Sequence, residues 1–310
     1  MKKVKYGSNA EWLALRKNGI GGSDIGAICG VSKWETPLDV YNDKTNPDFV
    51  IPENEAMWYG KKEEPIVAER FSILTGKDVR NDNHIIIDEE YPYFFANIDR
   101  KIVGEDAILE CKTTDTLSAN LWADGKIPDN YYLQMMWYLG VTKYTKGYFV
   151  CKVGNRETII REVERDENLI AQIREEAKIF WNENILKRVP PSATVGDEWN
   201  LHQMWEPHEE EKDLSDLIDI FIVRNETLKE IDGIKAQLKE KEDIIKQCEI
   251  SIKEALQGAD KGVCGNFVVS HKWGTRKSVD TNKLKSEYAE VYNDCLKETE
   301  TSRFSIKEIE

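Results

Sequence analysis

Ile108-Leu109-Glu110-Cys111-Lys112-Thr113-Thr114-Asp115-Thr116 follows an acidic residue, Asp99, that stands eleven positions before Glu110. An acidic residue, a short gap and then Glu-x-Lys on an apolar strand is the layout of a metal-dependent phosphodiesterase. Side chains on a strand alternate faces, so Glu110 and Lys112 emerge together while Cys111 turns into the packing. Asp99, from the preceding strand or turn, can meet Glu110 at a divalent cation. Lys112 is left beside the same point, where it can orient an attacking water or help deprotonate it. Taken alone, the triplet is also what a solvated strand edge looks like, and its meaning depends on its neighbours.

With 310 residues the chain can hold one sizeable α/β domain plus an appendage, or two small domains. A 40% hydrophobic fraction and nine tryptophans argue for a real core. No apolar run approaches the ~20 residues of a membrane span. Met1–Gly7 lacks the apolar segment of a signal peptide, so a cytoplasmic protein is expected. The six cysteines, Cys29, Cys111, Cys151, Cys248, Cys264 and Cys295, form no Cys-x-x-Cys pair, which fits reduced thiols and argues against a zinc ribbon or iron–sulfur cluster. Four histidines, none paired at helical spacing, leave a hard cation held by oxygen, Mg²⁺ or Mn²⁺, as the metal to expect. The net charge of −14 argues against passive, high-affinity DNA binding. It is compatible with a metal enzyme, since bound cations cancel acidic charge locally.

Outward from the triplet, strands are predicted at 83–88, 94–103 and 107–113, a helix at about 129–140, a strand at 146–151 and a helix at 166–187 before Pro190-Pro191. Upstream, a helix over 8–19 is capped by Ser8, with Trp12, Leu13 and Leu15 inward. The bend at 19–24 offers Ser23-Asp24 as the cap of a further short helix. Residues 44–54, with Pro47 and Pro52, read as an exposed loop, and an amphipathic helix at 55–75 ends at Gly76. From Lys212 the pattern changes: Leu214, Leu217, Phe221, Leu228, Ile231, Leu238, Ile245 and Ile252 recur near a seven-residue period, which is coiled-coil-like, to Gly258. Then 266–273 alternates like a hairpin strand that Gly274-Thr275 can turn, and a helix is expected at about 281–297. The basic residues Lys272, Arg276, Lys277, Lys283 and Lys285 could touch phosphates or form a solvated face.

Three more features bear on chemistry. Gly60-Lys61-Lys62-Glu63-Glu64 is read as opening a helix, from which Glu64 could add a third carboxylate and hold a second ion; acids at a helix start also simply favour its dipole. Arg16 with Ser23 offers a guanidinium, a hydroxyl and helix-terminal amides, the parts of a phosphate cradle or of a plain capped corner. Gln134, in an apolar helix, could hold a water or be a satisfied buried amide.

In order, Arg16…Ser23, Gly60-Lys61-x-x-Glu64, Asp99…Glu110-x-Lys112 and Tyr131-x-x-Gln134 resemble the YqaJ-type viral recombinases. These belong to the lambda exonuclease branch of the PD-(D/E)xK nucleases, to which RecE-like exonucleases are similar. The resemblance covers roughly residues 8–150. It departs from the motif at Ile98, where proline usually precedes the aspartate, and at Met136, where a second polar residue often stands. It implies an α/β PD-(D/E)xK core with a mixed central sheet flanked by helices, carrying a C-terminal helical coiled-coil and β-hairpin extension. The domains would be 1–200, the exonuclease, and 205–310, an oligomer or partner contact.

By the same resemblance, Asp99 and Glu110 hold the catalytic Mg²⁺ or Mn²⁺, with the Cys111 carbonyl a further ligand and Glu64 helping to hold a second ion. Lys112 positions the water, Gln134 supports the water or the scissile phosphate, and Arg16 and Ser23 take a 5′-terminal phosphate. The implied activity is 5′→3′ digestion of linear double-stranded DNA ends by a phage- or prophage-encoded enzyme. The 3′ tails would feed a single-strand annealing recombinase of the RecT/Bet type, and the enzyme would be a ring-shaped homo-oligomer, trimer or tetramer. Another PD-(D/E)xK endonuclease, restriction-type or structure-specific, and a non-catalytic scaffold are the competing readings.

Overall fold

The computed structural model describes residues 2–49, 53–205, 209–272, 274–275 and 278–297, and divides the chain into two units, Met1–Glu209 and Glu210–Glu310. The first unit begins with β1 (Lys2–Lys5), α1 (Asn9–Arg16), α2 (Gly22–Ile28), α3 (Pro37–Thr45) and α4 (Glu55–Thr75). Short strands follow, β2 (Val79–Asn81), β3 (His84–Ile87), β4 (Phe95–Ala96) and β5 (Arg100–Ile102), then the long β6 (Ala107–Thr114). After α5 (Asp129–Thr142) come β7 (Lys146–Val153), β8 (Glu157–Glu164), α6 (Glu167–Ile179) and α7 (Glu198–Met204).

Five strands make a mixed sheet in the order β2-β5-β6-β7-β8, in which only β6 and β7 run parallel. Helix α5 is the crossover that a parallel pair requires. A smaller sheet, β1-β3-β4, lies beside it in the chain. Alternation along β6 assigns each face its own core. Ile108 packs with Phe149, Cys151, Met135 and Trp137 on the α5 side, whereas Ala107, Leu109 and the edge of Cys111 pack with Val67, Ala68 and Phe71 of α4. The α5 core also holds Ile20, Ile25, Phe94 and Trp122. Every residue of α5 from Gln134 to Thr142 is buried, because the helix is enclosed by the sheet, α2 and α6. Gly147 makes the fit possible, since a Cβ there would meet the Met135 Sδ at 2.1 Å.

Several expectations are met and others corrected. Ser8 caps α1 through the Glu11 amide, and α4 ends on Gly76 in the left-handed region (φ 71°). Leu13, expected inward, is 46% exposed. The cap of α2 is Gly21, with Asp24 as the third helical residue accepting the Gly21 amide. The strand expected over 94–103 divides at Asn97–Asp99: β4 joins the small sheet and β5 the large one. The helix expected to 187 changes at Phe180 into a wide π-type turn ending at Leu186. Unforeseen elements are β1, β2, β8, α3 and α7. Helix α7 is tied back to α3 by a buried polar network: Thr36 Oγ1 donates to Asp197 (2.6 Å), and Asn200 donates to Asp39 (2.8 Å) and Asp197 (2.9 Å).

In the second unit the heptad pattern forms α8 (Ile218–Leu256), which buries none of its residues. It ends through Gln257 and Gly258, both at positive φ. Strands β9 (Lys261–Cys264) and β10 (Phe267–Ser270) form the hairpin, turned at Gly265-Asn266 rather than at Gly274-Thr275. The last expected helix is broken into α9 (Thr281–Glu287) and α10 (Ala289–Asp294). Pro52, Trp273, Arg276, Lys277 and the end of the predicted tail fall outside the described residues.

Asp88, 4% exposed at the end of β3, is held by both guanidinium nitrogens of Arg174 on α6, at 2.7 and 3.1 Å. Removing one partner strands a buried charge, so Arg174→Ala should cost about 3–5 kcal/mol in urea unfolding. The double variant Asp88→Asn, Arg174→Leu should cost less than the single one.

Candidate active site

Strand β5 pairs with β6 only as far as Arg100 opposite Leu109. Beyond that register β5 bends away, and the Asp99 carboxylate takes the place of a strand partner: its Oδ2 accepts the Cys111 amide at 2.8 Å. The break in the predicted strand is therefore what swings Asp99 to the middle of β6 next to Glu110. Glu110, 3% exposed on the α5 side, is tied to that helix by a closed set of hydrogen bonds. Lys112 Nζ donates to Glu110 Oε1 and to Gln134 Oε1, both at 2.9 Å, and Gln134 Nε2 donates to Glu110 Oε1 at 2.8 Å. Gln134 Nε2 also donates to the Tyr138 hydroxyl at 2.9 Å. Gln134 is thus a satisfied buried amide, and two of its three partners, Glu110 and Lys112, are residues expected to do chemistry.

Glu110 Oε2 is buried and has no hydrogen-bond partner. Burial, then the charges of Glu110 and Glu64, pushes Asp99 well above the usual carboxylate range. Burial raises Glu110 as well, against the pull of Lys112. Burial lowers Lys112, but Glu110 and Asp99 outweigh it, so its pKa lies above that of a free lysine. The ammonium therefore persists at neutral pH, which suits orienting a water and not deprotonating one.

A buried carboxylate oxygen without a donor, beside a second carboxylate strained by like charge, fits a hard divalent cation held through oxygen. Among the described residues no three acidic, histidine or cysteine side chains converge on one point. Glu64 accounts for the missing third. It lies in the middle of α4, far from the helix start, and its Oε1 is 2.5 Å from Arg100 Nη1. Arg100, 7% exposed, also donates to the Asp99 carbonyl at 2.7 Å. Its pairing with Leu109 sets it on the α4 side of the sheet, opposite Glu110. Glu64 thus acts on the two carboxylates through its charge while its side chain is committed to Arg100.

Arg16 and Ser23 are in contact, Nη2 to Oγ at 3.0 Å. The same nitrogen reaches Asp24 Oδ1 at 2.9 Å, and Asp24 Oδ2 is 2.9 Å from the fully buried Lys44 ammonium. Burial opposes ionisation of Asp24, but Lys44 and Arg16 overcome it and hold the carboxylate well below its ordinary range. Asp24, Lys44 and Arg100 were not foreseen as parts of the site. Asp24 was legible only as a capping residue, and its burial depends on α3, whose only sequence signal is the capping box of Thr36 and Asp39 with Pro37 between them.

Both groups open into one cleft of about 220 Å³ lined by Trp12, Arg16, Ser23, Asp99, Glu110 and Gln134 among others. What joins them is a helix crossing without a side chain: a Cβ on Gly22 would stand 2.4 Å from the Tyr138 ring. Lys112 stands behind Glu110, its ammonium 4.5 Å from the centroid of the Tyr131 ring.

Residues 11–145 match the family model described as a YqaJ-like viral recombinase domain. The uncharacterized protein YqaJ of Bacillus subtilis (strain 168) is 37% identical over 308 residues, covering 97% of this chain and 95% of that protein. The chain belongs to the YqaJ-like viral recombinase family. Its fold is also that of a solved alkaline exonuclease, LHK-Exo from Laribacter hongkongensis. The TM-score is 0.51 at 22% identity, over 58% of this chain and 94% of that one. The same enzyme in complex with dAMP matches at 0.51 and 23%, with the same coverage. The matched family region holds Arg16, Ser23, Glu64, Asp99, Glu110, Lys112 and Gln134, so this YqaJ-like chain carries its whole candidate site within it. Among the described residues no helix is long and apolar enough to cross a membrane.

A carboxyl whose pKa is raised by folding binds its proton more tightly in the folded chain. Stability therefore falls as pH climbs from the ordinary carboxylate range through the folded value. Asp99→Asn and Glu110→Gln should each raise the melting temperature by several degrees in EDTA at neutral pH, with the gain vanishing toward pH 3. Mg²⁺ or Mn²⁺ should raise the melting temperature of the wild type and leave that of the variants nearly unmoved.

Proposed function

We propose that this protein is a metal-dependent exonuclease that enters linear duplex DNA at a 5′ end and leaves a 3′ single-stranded tail. The observation that carries the reading is the single cleft in which Arg16 and Ser23 face Asp99, Glu110 and Gln134. The solved enzyme of the same fold is an exonuclease and has been captured with dAMP, which supports a nucleotide as the occupant of such a cleft.

Asp99 and Glu110 would hold the divalent cation, with the Cys111 carbonyl beside them. Once bound, the cation would supply Lewis-acid stabilisation of the charge that builds on the phosphoryl oxygens. Glu64 would help hold a second ion only on release from Arg100. The remaining work falls to the chain itself. Lys112 keeps its proton and, held by Glu110 and Gln134, has a donor left to fix a water or a non-bridging oxygen. Gln134 locks the side-chain carboxylate and ammonium into one orientation, so no reorganisation is needed as charge develops. Arg16, oriented by Asp24, and the Ser23 hydroxyl would receive the terminal phosphate and so set polarity.

The wider reading is of a phage- or prophage-encoded enzyme in the bacterial cytoplasm, supplying tails to an annealing recombinase of the RecT/Bet type. It would work as a trimeric or tetrameric ring. Residues 1–200 would be the nuclease and 205–310 the oligomer or partner contact, which accords with the exposed aliphatic residues Ile231, Leu238 and Ile245 of α8.

Digestion of linear duplex with 5′-phosphate or 5′-hydroxyl ends, in Mg²⁺ and in EDTA, tests this directly. The expected result is metal-dependent loss of one strand from its 5′ end, faster with phosphate. Lys112→Ala should slow it by about 10²–10³, and Arg16→Ala should remove the preference for phosphate. Cutting of closed circular duplex would replace this reading with an endonuclease, and no cleavage under any metal would end it.

A further inference from the structure

The loop between α2 and α3 carries Trp34, which leaves 65% of its surface in solvent. The ring is not loose. It lies nearly parallel to Tyr131, 6.2 Å between centroids at 21°. Its loop is pinned by Ser32 Oγ, which accepts the amides of Trp34 and Glu35 at 3.2 Å each. Tyr131 is in turn stacked on the buried Trp122 at 5.9 Å and 30°, and carries the Lys112 ammonium 4.5 Å from its centroid. An aromatic series thus runs from the core, past the lysine of the active site, to a ring open to water. Beside it in sequence, Lys33 is exposed and makes no ion pair among the described residues. The acidic neighbour in the loop, Glu35, is pushed up to about 7 by burial and by Asp24.

We infer that Trp34 is a stacking platform for an unpaired nucleobase of the DNA whose phosphate sits at Lys112 and Glu110. The inference rests on the nuclease reading and adds to it a subsite that recognises bases as surfaces without reading their sequence. Three properties carry it. The ring has a planar face held in place before any ligand arrives, so little ordering entropy is lost on stacking. It connects through one intervening ring to the ammonium that Glu110 and Gln134 hold. Lys33 supplies a free cation next to the ring, as a phosphodiester backbone passing the platform requires. Every base has a π face, so such a contact would hold an end that has frayed or been peeled open, whatever its sequence. Inside a duplex each base is stacked on both faces and only the terminal pair exposes one, so the platform favours separated over paired ends.

The test is binding in EDTA, where no strand is cut, of a 5′-phosphorylated duplex with a short unpaired 5′ overhang. 2-Aminopurine is placed in turn at each overhang position. Wild type and Trp34→Phe should quench its fluorescence at one position, and Trp34→Ala should not. Affinity for the overhang should fall roughly 5- to 100-fold in Trp34→Ala and much less in Trp34→Phe. An abasic site at the quenched position should weaken the wild type by a similar factor and leave Trp34→Ala unchanged. The inference is overturned if Trp34→Ala distinguishes base from abasic site as the wild type does. It is equally overturned if the variant alters the sedimentation of the protein while its DNA binding is intact, which would make Trp34 a protein contact. Cleavage in Mg²⁺ is scored separately. A wild type that stacks the base and never cuts defeats the nuclease reading alone, and one that cuts while Trp34→Ala binds normally defeats the platform alone.

Discussion

A carboxylate placed near the middle of a sheet must be compensated, and the buried Glu110 is compensated only in part. One oxygen receives Lys112 and Gln134, and the other has no donor. Isolated ionised groups are expelled from protein interiors unless paired and hydrogen-bonded. The rest of the first unit follows from that constraint. Helix α5 has to cross where Gln134 can reach β6, and Lys112 has to share the face of Glu110. Strand β5 has to leave the ladder early so that Asp99 can come alongside. The half-finished solvation of Glu110 is the cost of the arrangement and the reason it suits a cation.

The charges around the cleft extend the same logic. Its cations are nearly all committed to acids: Arg16 and Lys44 to Asp24, Arg100 to Glu64, Lys112 to Glu110. In a chain of net charge −14 this leaves no broad basic surface at the site to draw in a polyanion. The positive groups serve first to fix the geometry of the acids they hold.

Much of this was legible in order along the chain. Strand period placed Glu110 with Lys112 and sent Cys111 to the other core, and the order of Arg16, Ser23, Asp99 and Gln134, through the family resemblance it carries, anticipated residues that the fold does bring to one cleft. What escaped is what no local pattern encodes. Phe94–Val103 has the composition of one strand, and composition does not say that its two ends enter different sheets. Glu64 reads as an available acid because its captor, Arg100, is fixed by register and not by sequence proximity. Asp24 reads as a cap, since its second partner, Lys44, comes from a helix beginning at Pro37 whose pattern is weak. Strand β8 sets Ile159 and Ile160 side by side among charged residues at an edge of the sheet, so no period of two announces it.

Gly22 and Tyr138 occupy space that only one of them can fill. The hydroxyl of that tyrosine anchors Gln134, and the helix starting at that glycine carries Ser23, so the two halves of the cleft are registered by an absent methyl group. The two positions are therefore interlocked over evolutionary time. A lineage that gains a side chain at residue 22 must first accept a smaller ring at residue 138, and with it a different way of holding the glutamine. Drift at residue 22 alone is closed off, however freely the surrounding surface changes.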